Sequence, residues 1–308
     1  MKKIFIDGGA GTTGLRIKER LSNREDIELI ILSEEKRKDT IARREAINSA
    51  DIAFLCLPDA AAIEAVSLLE NDNTVIIDTS TAHRTNDAWA YGFPELSEDF
   101  DARLKTSKRI AVPGCHASGF IALIYPLIEK GILHKDINLC CTSLTGYSGG
   151  GKSMIADYEA ANRNTLLESP RMYGVTQMHK HLPEMVKICG IENAPAFLPI
   201  VADYYSGMEV TIPLFKKDIN GSAEDIKNVY KEKYHGPIVQ FVEDFAENGF
   251  VAANKLSYND GMQIAVMGND DRILLCARYD NLGKGASGAA IECMNMVLGT
   301  DKCKGLDL

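Results

Sequence analysis

Lys3-Ile4-Phe5-Ile6-Asp7-Gly8-Gly9-Ala10-Gly11-Thr12-Thr13-Gly14 is the stretch whose reading decides the fold. A short apolar run ends at Asp7 and passes straight into glycines. Thr13 to Leu21 follows with helical spacing at Leu15, Ile17 and Leu21. Glycines at 9, 11 and 14 fit G-x-G-x-x-G, which lets a chain turn tightly and bring its backbone close to a pyrophosphate at a helix N-terminus. The same letters can describe a plain glycine-rich turn. A strand before, a helix after and a place near the chain start make it a dinucleotide-binding fingerprint.

Outward from that turn, the pattern repeats. Ile27 to Leu32, Asp51 to Leu57, Thr74 to Asp78 and Arg109 to Val112 are near-continuous apolar runs, as strands buried on both faces read. Ala60 to Leu69 has helical spacing. Strands alternating with helices imply βαβ units and a parallel sheet. Beyond about residue 116 the texture changes. Phe120 to Ile132 reads as an amphipathic helix, and Ile137 to Leu144 and Glu209 to Phe215 read as strands. Gln263 to Val266 and Arg272 to Arg278 flank Gly268-Asn269-Asp270-Asp271, a hairpin signal. Ala286 to Leu298 is helical and rich in small residues, suited to packing back on the first domain. The reading is α/β: a Rossmann-type dinucleotide-binding domain from 1–115 and 286–308, plus an α+β domain from 116–285 that carries the catalytic groups.

Composition bounds the function. The net charge of −9 disfavours partners that need basic surfaces, nucleic acid and anionic membranes among them. No apolar run is long enough to span a bilayer, and no secretory leader is visible at the N-terminus. The eight cysteines form no C-x-x-C pair, which argues against a zinc site or a disulfide framework and for a reducing cytoplasm. No metal is expected.

After the second apolar run come Ser33, Glu34, Glu35, Lys36, Arg37 and Lys38. An acidic residue here would favour NAD. A hydroxyl at Ser33 with cations at Arg37 and Lys38 suits the 2′-phosphate of NADP. Gly146 to Ser153 matches the P-loop pattern G-x-x-x-x-G-K-[ST]. It lies mid-chain, and the best apolar run that ends in Asp (Val75 to Asp78) is upstream, the wrong order for a nucleoside-triphosphate site. Its glycines and Lys152 can serve another anion.

Cys115 lies in Pro113-Gly114-Cys115-His116-Ala117-Ser118-Gly119, between the last strand of the first domain and a long helix. A helix N-terminus stabilises a thiolate, and the carboxyl edge of an open α/β sheet is where ligands bind. His116 is adjacent, but neighbouring side chains usually diverge. His179-Lys180-His181-Leu182-Pro183-Glu184 offers an imidazole with a carboxylate one turn away, the arrangement of an activated acid–base pair. A zinc reading of this cluster lacks a further ligand. Arg84, beyond the strand that ends in Asp78, is a residue type that binds phosphate.

Taken together these motifs resemble the N-acetyl-gamma-glutamyl-phosphate reductases of arginine biosynthesis, nearest to their shorter form. The resemblance runs over most of the chain. It is carried by Gly8 to Gly14; by Asp78, Ser80 and Arg84; by Pro113-Gly114-Cys115 with Ser118; by Ser148, Gly149, Gly151 and Lys152; by His179, His181, Pro183 and Glu184; and by Asn281-Leu282, Lys284-Gly285-Ala286 and Gly288. Thr12 stands where the longer form has Tyr.

The resemblance implies a second domain of the semialdehyde-dehydrogenase kind, used for catalysis and dimerisation, and a homo-oligomer, dimer or tetramer. It implies Cys115, His181 and Glu184 as catalytic residues. Cofactor contacts would come from Gly8, Gly9, Gly11, Thr12, Thr13, Gly14, Ser33, Arg37, Lys38, Leu57, Pro58, Ser80, Gly149, Gly150 and Asn281, and substrate contacts from Arg84, Ser118, Ser148, Lys152 and His179. The implied reaction is NADPH-dependent reduction of N-acetylglutamyl 5-phosphate through a Cys115 thioester. A related aspartate-semialdehyde type enzyme, or a non-catalytic NADP-sensing regulator, are the alternatives.

Overall fold

The computed structural model describes all 308 residues and divides into two compact units, Met1–Gly114 with Ala286–Leu306 and Cys115–Gly285 with Asp307–Leu308. The break falls between Gly114 and Cys115, one residue earlier than expected, because the helix that opens the second unit starts on the cysteine itself.

The first unit contains β1 (Lys2–Asp7), α1 (Thr12–Leu21), β2 (Ile27–Ile30), α2 (Thr40–Ser49), β3 (Ile52–Leu55), α3 (Asp59–Ser67), β4 (Val75–Asp78), β5 (Ala90–Tyr91), α4 (Glu98–Thr106) and β6 (Arg109–Ala111). The strands pair in parallel in the order β2-β1-β3-β4-β6-β5. The chain leaves β1 to one side for β2 and returns on the other side for β3, so the order reverses at β1. Its carboxyl end is therefore the crevice where such sheets bind ligands. Alternation along the strands feeds two cores. Ile4, Phe54 and Ile77 pack with Ile17 and Leu21 of α1, whereas Phe5, Ala53, Leu55 and Ile76 pack with Ile47 of α2 and Ala62 and Ala65 of α3.

Three local readings change. Leu15 is exposed, and α1 buries Gly14, Ile17 and Leu21 instead. β2 stops at Ile30, and Ile31 faces solvent. α2 gave no clear signal because its buried stripe is only Arg43, Ala46 and Ile47, though Asp39 caps it by accepting from the Ala42 amide at 2.7 Å.

The second unit contains α5 (Cys115–Glu129), β7 (Cys140–Gly146), α6 (Gly151–Glu159), β8 (Arg171–Met172), α7 (Leu182–Cys189), β9 (Ala196–Ala202), β10 (Met208–Phe215), α8 (Ala223–Lys233), β11 (Val239–Phe241), β12 (Met262–Gly268) and β13 (Arg272–Tyr279). Seven strands form a mixed sheet in the order β11-β12-β13-β10-β7-β9-β8. β12 and β13 are the expected hairpin; Gly268 turns at φ +97°, where a Cβ would meet the Arg272 carbonyl oxygen at 2.2 Å.

α5 differs from the amphipathic helix expected. It is buried on nearly every side, packed between the sheet and helices α7 and α8. Pro126 lies inside it and has no N–H for the Ala122 carbonyl one turn earlier. Tyr234, which caps the end of α8, donates its hydroxyl to that carbonyl at 2.7 Å, and Tyr230 of α8 donates to the next, Leu123, at 2.5 Å. The two tyrosines are four residues apart and so share a helix face.

The last helix, α9 (Gly288–Val297), belongs to the first unit, where Ala289, Ala290, Ile291, Cys293 and Met294 join the core of Ile4 and Phe54.

Candidate active site

In the first unit, the turn after β1 separates two kinds of glycine. Gly8 has φ +83° and a Cβ there would lie 2.2 Å from the Cys56 carbonyl oxygen; one on Gly14 would lie 2.6 Å from the Gly8 carbonyl oxygen. Packing alone requires these two. A Cβ on Gly9 or Gly11 would have no atom nearer than 3.4 Å, so the fold itself does not demand glycine there. Gly11 is the N-cap of α1 and offers no side chain to its first amides, and the Thr12 hydroxyl oxygen is buried with no hydrogen-bond partner. Uncapped amides and an orphaned hydroxyl, beside two glycines that packing does not require, are the donor set that a pyrophosphate takes up. A second helix start is nearby in sequence: Pro58 caps α3 without a side-chain bond, and Leu57 flanks Gly8.

Ser33, Arg37 and Lys38 are exposed on the turn that follows β2. The Lys36 and Arg37 amides both donate to the Ser33 carbonyl at 3.0 Å, and the Arg37 guanidinium pairs with Glu34 at 2.6 Å.

The Asp78–Ser80–Arg84 segment is turned inward. Asp78 Oδ1 accepts from the Ser80 amide at 2.9 Å and Oδ2 from the Ser80 hydroxyl at 2.7 Å, and His83 Nδ1 lies 2.6 Å from the same Oδ2. Arg84 is buried and donates Nε to the Val112 carbonyl at 2.9 Å and Nη2 to the Thr79 carbonyl at 2.8 Å. Those bonds fix the exit of β6, three residues before the cysteine.

In the second unit, Cys115 is the first residue of α5 and is partly exposed, while its helical neighbours His116 to Ser118 are buried. Four of the other thiols differ from it. Burial pushes Cys56 and Cys276 up to about 12, and it raises Cys141 and Cys189 as well. Such thiols hold their protons and are poor nucleophiles. Gly285 closes on Cys115, where a Cβ would approach the cysteine's own Cβ to 3.1 Å.

His116 does diverge from Cys115, into a cluster that sequence reasoning did not assemble. Its Nδ1 lies 2.7 Å from the Ser143 hydroxyl and its Nε2 2.6 Å from the Tyr173 hydroxyl. Burial, helped by His179, lowers it to about 3, so it is neutral. The His116 ring centroid lies 5.6 Å from those of both His179 and His181, which are 4.8 Å apart, and Phe197 closes the group.

The segment that delivers His179 continues β8 along the outer side of β9. Tyr173 donates its amide to Pro199, and Gln177 exchanges two side-chain bonds with the Phe197 backbone, at 2.7 and 2.8 Å. Gln177 adopts φ +57°, which swings the chain into His179. His181 then caps α7, its amide donating to His179 Nδ1 at 3.2 Å, and Glu184 is buried in the first turn. Burial first, and the Lys180 charge second, lower the His179 pKa. Burial first, and the Cys115 charge second, raise that of Tyr173.

The amides of Gly146, Tyr147 and Ser148 are spent on the carbonyls of Gly207, Tyr204 and Tyr205 at 2.9–3.0 Å. Asn281 donates to the Ser148 hydroxyl at 2.9 Å and accepts from the Gly207 amide at 2.9 Å, with Gly149 beside it. Gly150 closes the turn and Lys152 is exposed on α6. Ser118 is buried in the first turn of α5. No group of three or more His, Cys, Asp or Glu residues is arranged to hold a metal ion, and no helix is long and apolar enough to cross a membrane.

The sequence matches the family described as semialdehyde dehydrogenase, NAD binding domain, over residues 3–102, and that described as semialdehyde dehydrogenase, dimerisation domain, over residues 115–281. Among curated relatives, the N-acetyl-gamma-glutamyl-phosphate reductase of Brucella ovis is 44% identical over 96% of this chain and 99% of that one. The N-acetyl-gamma-glutamyl-phosphate reductase 2 of Nostoc sp. is 41% identical over 99% of each. Among solved structures, aspartate semialdehyde dehydrogenase II of Vibrio cholerae aligns with a TM-score of 0.72 at 16% identity, covering 97% of this chain and 98% of that one. The enzyme of Francisella tularensis aligns with a TM-score of 0.72 at 13% identity. At those identities the likeness is one of fold.

Proposed function

The chain belongs to the semialdehyde dehydrogenases, in the N-acetyl-gamma-glutamyl-phosphate reductase family, and from that premise we propose that it converts N-acetylglutamyl 5-phosphate to N-acetylglutamate 5-semialdehyde in arginine biosynthesis, using NADPH in the cytoplasm. The observation that carries this reading is Cys115: a partly exposed thiol on the first residue of a buried helix, at a strand-to-helix junction.

The Cys115 thiolate attacks the acyl carbon; the carbon–oxygen bond to phosphate breaks, phosphate leaves, and a thioester remains on Sγ. A nicotinamide dinucleotide held at the Gly8 to Gly14 turn would supply the hydride that reduces this thioester. His181 gives a proton to the tetrahedral oxyanion that results and takes it back as the carbon–sulfur bond breaks, which releases the aldehyde and restores the thiolate. Glu184 orients His181, and the buried cluster of His179, His116 and Tyr173 limits the room for the ring to turn. Lys152 and Ser118 serve the substrate, with Ser148 set by Asn281. Arg84, whose bonds run to backbone carbonyls, supports the phosphate end of the site by fixing the approach to Cys115.

NADP over NAD rests on Ser33, Arg37 and Lys38, with Arg37 exchanging Glu34 for the 2′-phosphate. The unit matched to the dimerisation family would pair copies of the chain into a dimer or tetramer.

The test is Cys115→Ser, assayed with N-acetylglutamyl phosphate and, in parallel, with aspartyl phosphate. Reductase activity should vanish while NADPH binding persists. Comparable turnover in the variant would remove the thioester from the mechanism. Faster turnover of aspartyl phosphate by the native chain would make this an aspartate-semialdehyde type enzyme, and activity with neither would favour a sensing role.

A further inference from the structure

The first turn of α5 is not closed by the helix alone. Tyr279 donates its hydroxyl to the Cys115 carbonyl at 2.6 Å and accepts from the Gly119 amide at 3.0 Å. Cys115 C=O and Gly119 N–H are four residues apart, the pair that an unassisted first turn would bond to each other. A phenol oxygen bridges them. The space for it is provided by Gly119: a Cβ there would lie 2.7 Å from the Tyr279 hydroxyl oxygen, 2.8 Å from its ring and 2.7 Å from Val210. Glycine inside a helix is unfavourable in itself, so its place here is explained by the group it admits.

Tyr279 is well anchored. It is fully buried at the end of β13, paired with Met208 of β10 on one side and Met262 of β12 on the other. Its hydroxyl position is set by the middle of a seven-stranded sheet and so is independent of the helix it touches.

We propose that Tyr279 is a positioning residue for the nucleophile, its hydroxyl holding the first turn of α5 in the geometry that presents the Cys115 thiolate to the helix N-terminal amides. The proposal rests on the reading of Cys115 given above. Stabilisation of a thiolate by helix N-terminal N–H groups falls off within a turn and depends on their direction. Without the phenol the Cys115 carbonyl loses an O–H donor and the Gly119 amide loses an acceptor, and the peptide units on either side of Cys115 relax. The Cys115 charge and the Tyr279 hydroxyl already feel each other: burial first, and that charge second, raise the tyrosine's pKa.

The experiment is the pH dependence of alkylation by iodoacetamide, followed by mass spectrometry of the Cys115 peptide, in the full-length protein and in Tyr279→Phe. Cys140 is exposed on the same unit and serves as an internal reference. Tyr279→Phe should move the Cys115 profile to higher pH by roughly one unit and leave the Cys140 profile in place. Turnover should fall about tenfold with the KM for NADPH unchanged. Gly119→Ala keeps the phenol but drives it from the bridge, so it must move the profile the same way; it keeps the test open if the Phe variant does not fold. A Cys115 profile that coincides with the native one in either folded variant overturns the proposal. Alkylation reads thiol acidity without substrate, so this result is independent of whether Cys115 carries the thioester.

Discussion

His116 and Arg84 each have their protonation or bonding set by burial. His116 falls from an ordinary 6.5 to about 3, so the unfolded chain takes up this proton first as pH drops. The contribution to stability is therefore complete above about pH 6.5 and is lost as pH falls from there toward 3, at up to roughly 1.4 kcal/mol per pH unit. Urea midpoints measured from pH 7 to pH 4 should decline over that window, and His116→Asn should flatten the decline; an unchanged slope would show that the ring titrates normally. Arg84 presents the second case. With Nε and Nη2 on the Val112 and Thr79 carbonyls, Arg84→Lys should lower the urea midpoint and turnover, while the KM for the acyl phosphate stays within about twofold. A large rise in KM at an unchanged midpoint would return Arg84 to the phosphate. Sequence reasoning proposed Cys115, His181 and Glu184 as a set. It missed Tyr173 and Tyr279, because an isolated tyrosine has no spacing to read.

Among the elements, α5 best shows a local fault repaired from a distance. Pro126 leaves the Ala122 carbonyl without its helical donor, and Tyr234 provides one. Tyr234→Phe should cost about 1–3 kcal/mol, the usual range for a buried polar group left unpaired. In a Pro126→Ala background the restored N–H can serve Ala122, so the same substitution should cost markedly less. A double-mutant cycle by urea denaturation measures the coupling, and strict additivity would show that the tyrosine does not compensate for the proline. The strands β3 and β4 were legible because each is apolar at consecutive residues and buried throughout. α5 was misread as amphipathic for a related reason: it is apolar nearly all round, and periodicity says little about a helix that has no solvent face.

For the whole molecule, the chain order of the units is itself informative. The last helix, α9, returns to complete the first unit's core, so that unit's fold needs residues separated by the entire second unit. The match of 115–281 to a dimerisation family leads to a specific expectation in solution. Sedimentation equilibrium should give a mass of at least twice the 33.8 kDa of one chain, and a monomer at micromolar concentration would count against the proposed dimer or tetramer.

The sequence by itself determined the dinucleotide turn, the parallel sheet built on it and the place of the cysteine at a strand-to-helix junction. Each is set by neighbours in the chain: Gly8 and Gly14 by backbone sterics, the strands by runs of apolar residues, Cys115 by Pro113-Gly114 before it and an apolar helix after it. Only the tertiary structure decided what surrounds the thiol. Tyr279 reaches Cys115 across 164 residues, and Tyr173 reaches His116 across 57. Such contacts arise from the way a sheet and its helices pack. Packing brings together side chains whose spacing in the sequence follows no period, so no local pattern could announce them.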